Sequence, residues 1–308
     1  MGGDFAPDAC IDGAILALDK MNTDDAIVLI GSRQLILNEL SKRKCNPEAF
    51  VIVDAPEVIQ MNDHPAKAFQ QKQNSSLVTG YKLLRTKEID GFASAGNTGA
   101  MMVGAMKAIK PIPGVLRPAI ASFVPTTNGK QNILLDVGLN PDSKPDVLYQ
   151  YGILGSIFYQ FIFGVENPKV SLLNIGKEEG KGNLISKSAF DLMKDNPDFN
   201  FVGNIEGHEL FDTEVTDVIV ADGFVGNILL KQTESFYALL KNRDVEDDYF
   251  ERFNYEIYGG TPILGINENV VIGHGISNAR AISNMIMQTR KMVNAKLSLR
   301  IKDFFNYE

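Results

Sequence analysis

Six short stretches of this 308-residue sequence combine glycine with asparagine, aspartate, threonine or histidine in the way a binding turn requires. They are Gly96-Asn97-Thr98-Gly99, Asp136-Val137-Gly138, Asn174-Ile175-Gly176, Gly203-Asn204, Asp222-Gly223-Phe224-Val225-Gly226-Asn227 and Gly273-His274-Gly275. Each closes an apolar, largely β-branched run. Glycine lets backbone approach a ligand, asparagine tolerates left-handed geometry, and the N–H groups at a helix start attract an anion. The most heavily charged turn, NIGKEEGKGN at 174–183, adds two lysines and two glutamates among glycines. Lys177 or Lys181 is suited to neutralising an oxyanion, with Glu178 or Glu179 orienting a lysine.

Other chemistries fit poorly. The 174–183 turn is not a nucleotide P-loop, because three residues separate Gly176 from Gly180-Lys181 and Gly182 stands where Ser or Thr would hold magnesium. VIGHGISNARA runs strand, Gly-x-Gly, helix, but Asn278 replaces the third small residue, and little chain remains for an acidic ribose ligand. The three histidines lie far apart, which argues against a metal site. His64 reads as a loop residue, His208 as exposed, and His274 as a site residue. No Gly-x-Ser-x-Gly elbow or Cys/His pairing suggests a covalent nucleophile. No metal and no organic cofactor is expected.

The elements that must position these turns follow from the same apolar runs. AIVLIGS, FVIVDAP, GFASAGN, NILLDVG, VSLLNIG, FNFVGN, DVIVADG and NVVIGHG alternate with helical patterns, which predicts an α/β fold with a mainly parallel sheet covered on both faces. In such sheets ligands bind beyond the carboxyl ends of the strands, so the six turns should gather around one cleft. VPTTNGKQN, 124–132, reads as a hairpin loop, and KNRDVEDDYFERF, 241–253, as a solvated helical excursion near 232–256. No domain boundary is visible, and a single domain over 1–308 is expected. The uncharged stretch Val147–Val165 contains two glutamines, three tyrosines and three glycines and follows Pro145, so it reads as a helix buried in the core or in a dimer interface. A net charge of −8 disfavours nucleic acid. Cys10 and Cys45 read as free thiols in a reducing cytoplasm. The run from Asn278 to Phe305 reads as one helix whose Arg280, Arg290, Lys291, Lys296, Arg300 and Lys302 form a basic docking strip for an acidic partner or anionic lipid.

The blocks MGGDFAPDACIDGA, PAKAFQQKQNSS, SAGNTGAMM, LLDVGLNPDSKP, LLNIGKEEGKGN, FVGNIEG, DVIVADGFVGNILLK, YGGTPILGIN and HGISNARAISN resemble, in order and over nearly the whole chain, those of the bacterial phosphate acyltransferase family called PlsX. The resemblance implies transfer of a fatty acyl group from acyl carrier protein to inorganic phosphate, giving the acyl phosphate that opens phosphatidic acid and phospholipid synthesis. It implies a three-layer α/β/α sandwich similar to the phosphotransacetylase and isopropylmalate dehydrogenase-like group, and a homodimer. It further implies a cytoplasmic enzyme, peripheral on the inner membrane face and handing its product to a downstream glycerol-3-phosphate acyltransferase. Three departures stand out. The family's short apolar strand ahead of the first block is not in this sequence. Its DVGANVDCKP reads DVGLNPDSKP, with Leu139, Pro141 and Ser143 substituted. Its helical excursion is shortened between Lys231 and Tyr258.

On this reading phosphate attacks the thioester directly, and catalysis is positioning plus charge stabilisation. Asn97, Thr98 and Gly99 are expected to cradle phosphate, with Lys144 as an auxiliary cation. Lys181, Asn183 and His274 are the expected catalytic groups, and Asn204, Asp222 and Asn227 the positioning ones. The rival readings are a phosphotransacetylase-like enzyme using acyl-CoA and a non-catalytic membrane-associated scaffold.

Overall fold

The computed structural model describes residues 2–212 and 214–306. These form ten strands and twelve α-helices, numbered in chain order, within two compact units. One unit takes the chain up to Lys110, with Tyr255–Pro262 and Ile266–Asn294. The other takes Pro111–Asn254, Ile263–Gly265 and the chain from Ala295.

In the first unit, β1 (Val28–Gly31) and β2 (Val51–Asp54) pair in parallel, with Val28 opposite Val51. So do β3 (Gly91–Ser94) and β10 (Asn269–Ile272), with Gly91 opposite Asn269. Around them lie α1 (Asp8–Leu18), α2 (Arg33–Lys42), α3 (Pro65–Gln71), α4 (Ser76–Arg85), α5 (Thr98–Gly104), α10 (Tyr255–Tyr258) and α11 (Ala279–Asn294). Side chains alternate across a strand, so neighbouring residues report what covers each face. A Cβ on Gly80 of α4 would lie 2.3 Å from the Phe92 ring, while one on Gly91 would lie 2.6 Å from Thr289 of α11. The helices α4 and α11 therefore cover opposite faces of β3, and this part of the chain is three layers deep.

In the second unit the hydrogen-bonded order is β9 (Thr261–Leu264), β4 (Ala119–Pro125), β5 (Gln131–Leu135), β8 (Val218–Val220), β6 (Lys169–Leu173), β7 (Asn200–Ile205), of which β9 contributes its last two residues here. The strands β5, β8, β6 and β7 are mutually parallel, and β4 runs antiparallel to both neighbours. The β4–β5 connection is the expected hairpin, turning at Gly129 with φ +88°. The helices are α6 (Pro145–Phe163), α7 (Leu184–Met193), α8 (Gly223–Lys241), α9 (Asp248–Glu251) and α12 (Leu297–Asn306). Proline opens α6 and left-handed Gly164 closes it. Its buried Tyr151, Leu154 and Phe158 make it a core helix, with Gly155 against Val218 and Leu135. Among the described residues no helix is long and apolar enough to cross a membrane.

Two expectations are corrected. The run 278–305 is two helices, because Lys296 takes a left-handed φ of 52° between α11 and α12. Of the six basic residues, Arg290 pairs with Asp25 at 2.6 Å and donates to the Lys20 carbonyl, and Arg300 lies over the Phe161 ring at 4.8 Å, while Arg280, Lys291 and Lys296 are exposed. The segment 241–253 is solvated only in its first part. Tyr249, Phe250 and Phe253 cluster with Phe211, and Arg252 donates to the Thr126 carbonyl.

The tightest approach in the second unit is at Gly226 of α8, where a Cβ would lie 1.9 Å from the carbonyl oxygen of Asp136. Backbone cannot yield as a flexible side chain does. Gly226→Ala is expected to lower stability by about 3 kcal/mol, read from the urea midpoint, whereas Phe224→Ala, at an exposed position two residues earlier, should change it by less than about 0.5 kcal/mol.

Candidate active site

Because β3 and β10 are parallel neighbours, their carboxyl ends lie together. Gly273 N donates to the Ser94 carbonyl at 2.9 Å, which joins the turns Ala95–Gly99 and Gly273–Gly275. A third turn, Gly2-Gly3-Asp4, joins them. Asp4 N donates to the Gly275 carbonyl at 2.7 Å, and a Cβ on Gly2 would lie 2.6 Å from Gly96 Cα. Gly3, at φ +105°, lies against the carbonyls of Gly275 and Ala95. Sequence alone assigns the Gly-Gly-Asp turn no role; its glycine pair is the signal that points to it.

The structure revises Asn97. Its Oδ1 accepts from Ala100 N at 2.9 Å and caps α5, while Nδ2 donates to the carbonyls of Gln60, Met61 and Asp63 at 3.0–3.1 Å. At 4% exposure this side chain is a structural clamp and has no donor left for phosphate. Lys72 anchors the far end of the same loop, 2.5 Å from Asp63, and this hydrogen bond holds the Asp63 carboxyl below its usual range. What the turn can offer is the leading backbone N–H groups of Thr98 and Gly99, which have no partner within a helix. Gly99 is glycine for packing, since its Cβ would lie 2.4 Å from Pro65. His274 lies partly buried beside these turns with Tyr255 against its ring, centroids 4.8 Å apart, and the Tyr255 hydroxyl donates to the Ile276 carbonyl.

In the second unit the parallel strands deliver four turns to one edge. The Asp136 carboxylate, fully buried, accepts from backbone N–H of Ile120, Gly138, Leu139 and Asn140 and from Asn140 Nδ2, at 2.6–3.3 Å. Burial pushes its pKa up, and these donors offset only part of that. Asn140 ties this turn to α8 through its carbonyl, which accepts from Gly223 N. Asp222 Oδ1 caps α8 by accepting from Phe224 N and Val225 N, and Asn227 Nδ2 donates to the Val137 carbonyl. The turns 136–140 and 222–227 are thus one assembly. Lys144, exposed, follows it at the start of α6.

The lysine turn is the neighbouring assembly. Asn174 Nδ2 donates to Asn204 Oδ1 at 3.1 Å and to the Lys181 carbonyl at 3.2 Å; Asn204 Nδ2 donates to the Glu178 carbonyl at 3.1 Å. These two asparagines pin the turn from below, so Asn204 positions the turn. Asn183 caps α7 by accepting from Ser186 N. Gly182, at φ +90°, lets the chain fold back where a Cβ would lie 2.1 Å from Ser186 Oγ. The two lysines differ. Lys177 is committed to nearly buried Glu209 at 2.6 Å, whereas the carboxylate facing Lys181 is Glu178 at 4.0 Å. Burial raises the Glu209 pKa, but the Lys177 hydrogen bond and the Glu206 N–H outweigh it, and the Lys177 ammonium is raised in turn by Glu209. Glu179 faces Lys194. Ile175 and Leu184 flank the turn, 82% and 84% exposed. Among the described residues no group of three His, Cys, Asp or Glu is placed to hold a metal ion.

Backbone N–H groups, amide donors and one loosely held lysine at parallel strand ends can bind an oxyanion. The family described as "Fatty acid synthesis protein" matches residues 1–243 and 236–300. A phosphate acyltransferase of Dictyoglomus turgidum is 39% identical, covering 99% of this chain and 96% of its own; one of Halothermothrix orenii is 39% identical, covering 99% and 97%. Among solved structures, the EutD phosphotransacetylase of Staphylococcus aureus superposes with a TM-score of 0.64 at 15% identity, over 93% of this chain and 92% of its own, a likeness of fold. The chain belongs to the phosphate acyltransferase family of fatty acid synthesis proteins.

Proposed function

We propose that the protein transfers a fatty acyl group from an acyl carrier protein thioester to inorganic phosphate, opening phosphatidic acid and phospholipid synthesis. The observation that carries this reading is Lys181: a half-exposed cation on a glycine turn pinned by Asn174 and Asn204, held by Glu178 only at the long distance of 4.0 Å, in a chain of this family. A phosphate oxygen attacks the thioester carbonyl carbon, negative charge passes to the carbonyl oxygen, and its collapse breaks the carbon–sulfur bond and releases the thiolate, which takes up a proton. A thiol with a pKa of about 8.5 leaves readily, so the demand on a general acid is small. Lys181 stabilises the oxyanion, and the Thr98 and Gly99 N–H groups with Lys144 hold phosphate. His274, held against Tyr255, donates to the oxyanion or the sulfur, and Asn183, Asp222 and Asn227 orient the substrates.

A homodimer and a peripheral place on the inner membrane face belong to the same reading. They are supported by α8, which buries only its two glycines and leaves Phe224, Ile228, Phe236 and Leu239 exposed. The fold likeness to a phosphotransacetylase favours one second reading, with acyl-CoA as the donor.

Incubation with a long-chain acyl carrier thioester and phosphate, followed by hydroxylamine trapping, is expected to yield acyl hydroxamate only when phosphate is present. Faster turnover of acyl-CoA would replace the carrier-protein reading, and vesicle binding without thioester loss would favour a scaffold. Lys181→Ala should lower kcat about 100-fold with an unchanged melting temperature. Asn97→Ala should instead lose about 1–2 kcal/mol of stability, since its side chain caps and clamps; unchanged stability would contradict that role.

The Lys177–Glu209 pair gives a pH window for docking of the lysine turn. Glu209 is depressed on folding, so its contribution is present above its ordinary 4.5 and is lost as pH falls through the lower folded value. Lys177 is raised, so its contribution is present below 10.5 and is lost as pH climbs through the higher one. Amide exchange at 175–182 should therefore quicken below about pH 4.5 in the native chain, and Glu209→Gln should remove that acid limb.

A further inference from the structure

The rule that ligands bind beyond the carboxyl ends of parallel strands passes over an antiparallel one. Strand β4 runs against β5, with Ala121 opposite Leu135, so its amino-terminal flank, Arg117-Pro118, lies at the edge where β5 and β8 end. That flank is tied to the 136–140 turn. Asn140 Nδ2 donates to the Pro118 carbonyl at 2.7 Å, Ile120 N donates to Asp136 Oδ1 at 3.0 Å, and Val137 N donates to the Ile120 carbonyl at 3.0 Å. On the other side of Arg117, Leu116 N donates to Gln150 Oε1 at 2.7 Å and Gln150 Nε2 donates to the Gly114 carbonyl at 2.9 Å, which clasps the loop to α6. A residue ahead of proline is also confined to extended backbone. The main chain of Arg117 is thus fixed from both sides, while its side chain is exposed.

Its guanidinium is not spent on the fold. Arg43 is held by Asp8, Asp12 and Glu39, Arg252 by a hairpin carbonyl and Arg290 by Asp25. Among the described residues Arg117 has no ion pair and no side-chain hydrogen bond. Its charge is nonetheless felt inside the turn: burial pushes the Tyr151 hydroxyl up, and Arg117 opposes that shift. The same hydroxyl accepts from Asn140 Nδ2 at 2.8 Å. Asn140 also places a second cation. Its carbonyl accepts from Ser143 Oγ at 3.3 Å, and the next residue is Lys144, exposed and likewise without an ion pair among the described residues. The carboxylates of this segment are Asp136, taken up by main-chain and amide donors, Asp146, which accepts from Val147 N, and exposed Asp142. Two uncommitted cations therefore flank one buried asparagine at a ligand-binding edge.

We propose that Arg117, with Lys144 beside it, binds a phosphate group of a substrate at this edge. The planar guanidinium fork matches two phosphate oxygens at once, and a main chain fixed on both sides leaves only the side chain to order on binding. The inference rests on the reaction proposed above, both of whose substrates carry that group. One is inorganic phosphate. The other is the donor, whose thioester sits on a 4′-phosphopantetheine arm joined to its carrier by a phosphodiester.

The test uses acyl-phosphopantetheine and acyl-pantetheine as thioester donors, which differ only in the phosphate of the arm, and compares the native chain with Arg117→Gln and Arg117→Lys. If the site takes inorganic phosphate, Arg117→Gln raises KM for phosphate about 10- to 100-fold with either donor. If it takes the arm, the native chain favours the phosphorylated donor, and Arg117→Gln removes that preference by a similar factor with KM for phosphate unchanged. Arg117→Lys keeps the charge, loses the fork and is expected to fall between. The urea midpoint should be the same for all three, since the side chain holds no other part of the fold. Lys130→Gln makes the same change of charge at the hairpin, the opposite end of β4 and β5, and should leave both constants as they were; an equal effect there would assign the result to net charge and overturn the proposal. Native constants for both substrates in Arg117→Gln would also overturn it. A native chain that transfers no acyl group would remove the proposed reaction instead, and the site is then read by calorimetry. Titration with inorganic phosphate and with 4′-phosphopantetheine is expected to show one of them bound about 10- to 100-fold more weakly by Arg117→Gln, and equal binding of both would overturn the site by itself.

Discussion

Direct contact of backbone with backbone at the strand ends is the constraint on which both candidate binding edges depend. In the first unit Gly2 meets Gly96 and Gly3 meets the carbonyls of Gly275 and Ala95; in the second Gly226 meets the carbonyl of Asp136. At Gly2 and Gly226 a single methyl group would fall well inside contact distance, and at Gly3 the φ of +105° itself excludes most side chains. The reward is that three turns from distant parts of the sequence become one surface in the first unit, and two become one in the second. A ligand there meets main-chain donors whose positions are set by the fold and which need little rearrangement on binding.

Asp136 extends this logic to electrostatics. Its carboxylate has no cationic partner among its hydrogen bonds; it is held by main-chain N–H groups and an amide. A buried carboxylate of this kind cannot be traded for an apolar residue without releasing several donors at once. It therefore fixes the 136–140 turn, and through Asn140 the start of α8, more firmly than packing alone would. Lys181 is the counterpart: held through its main chain by Asn174, its ammonium stands 4.0 Å from the exposed Glu178 carboxylate.

Much of this was legible in the sequence, for identifiable reasons. Eight strands announced themselves as apolar runs, seven of them closing in glycine, and those eight make the parallel pairings. The two that did not, β4 and β9, are the antiparallel neighbours: β4 is bounded by Pro118 and Pro125, and β9 has Pro262 within four residues, which reads against a central strand. The break between α11 and α12 was hidden because the apolar periodicity runs on through it, and nothing in a lysine signals left-handed backbone. Asn97 looked like a ligand group because its type and place suit one; that its amide is consumed by three carbonyls of the loop 60–63 is a long-range fact with no local trace. Nor does residue type separate Lys177 from Lys181, since the partner that commits the first, Glu209, lies on a different turn.

The way the chain is shared between the units bears on how it is made. The helix α1 packs on α11, with Gly13 directly against Ile282, yet the two are about 270 residues apart, which a ribosome adding roughly 5–20 residues per second takes tens of seconds to span. The stretch Pro111–Asn254, by contrast, is one continuous run holding most of the second unit. During synthesis that middle portion can gather its own strands while α1 waits, its apolar face uncovered, for a helix not yet translated. The order of emergence thus sets the order of assembly: the interior of the sequence first, and the outer segments, carrying the turns at Gly2, Gly96 and Gly273, last.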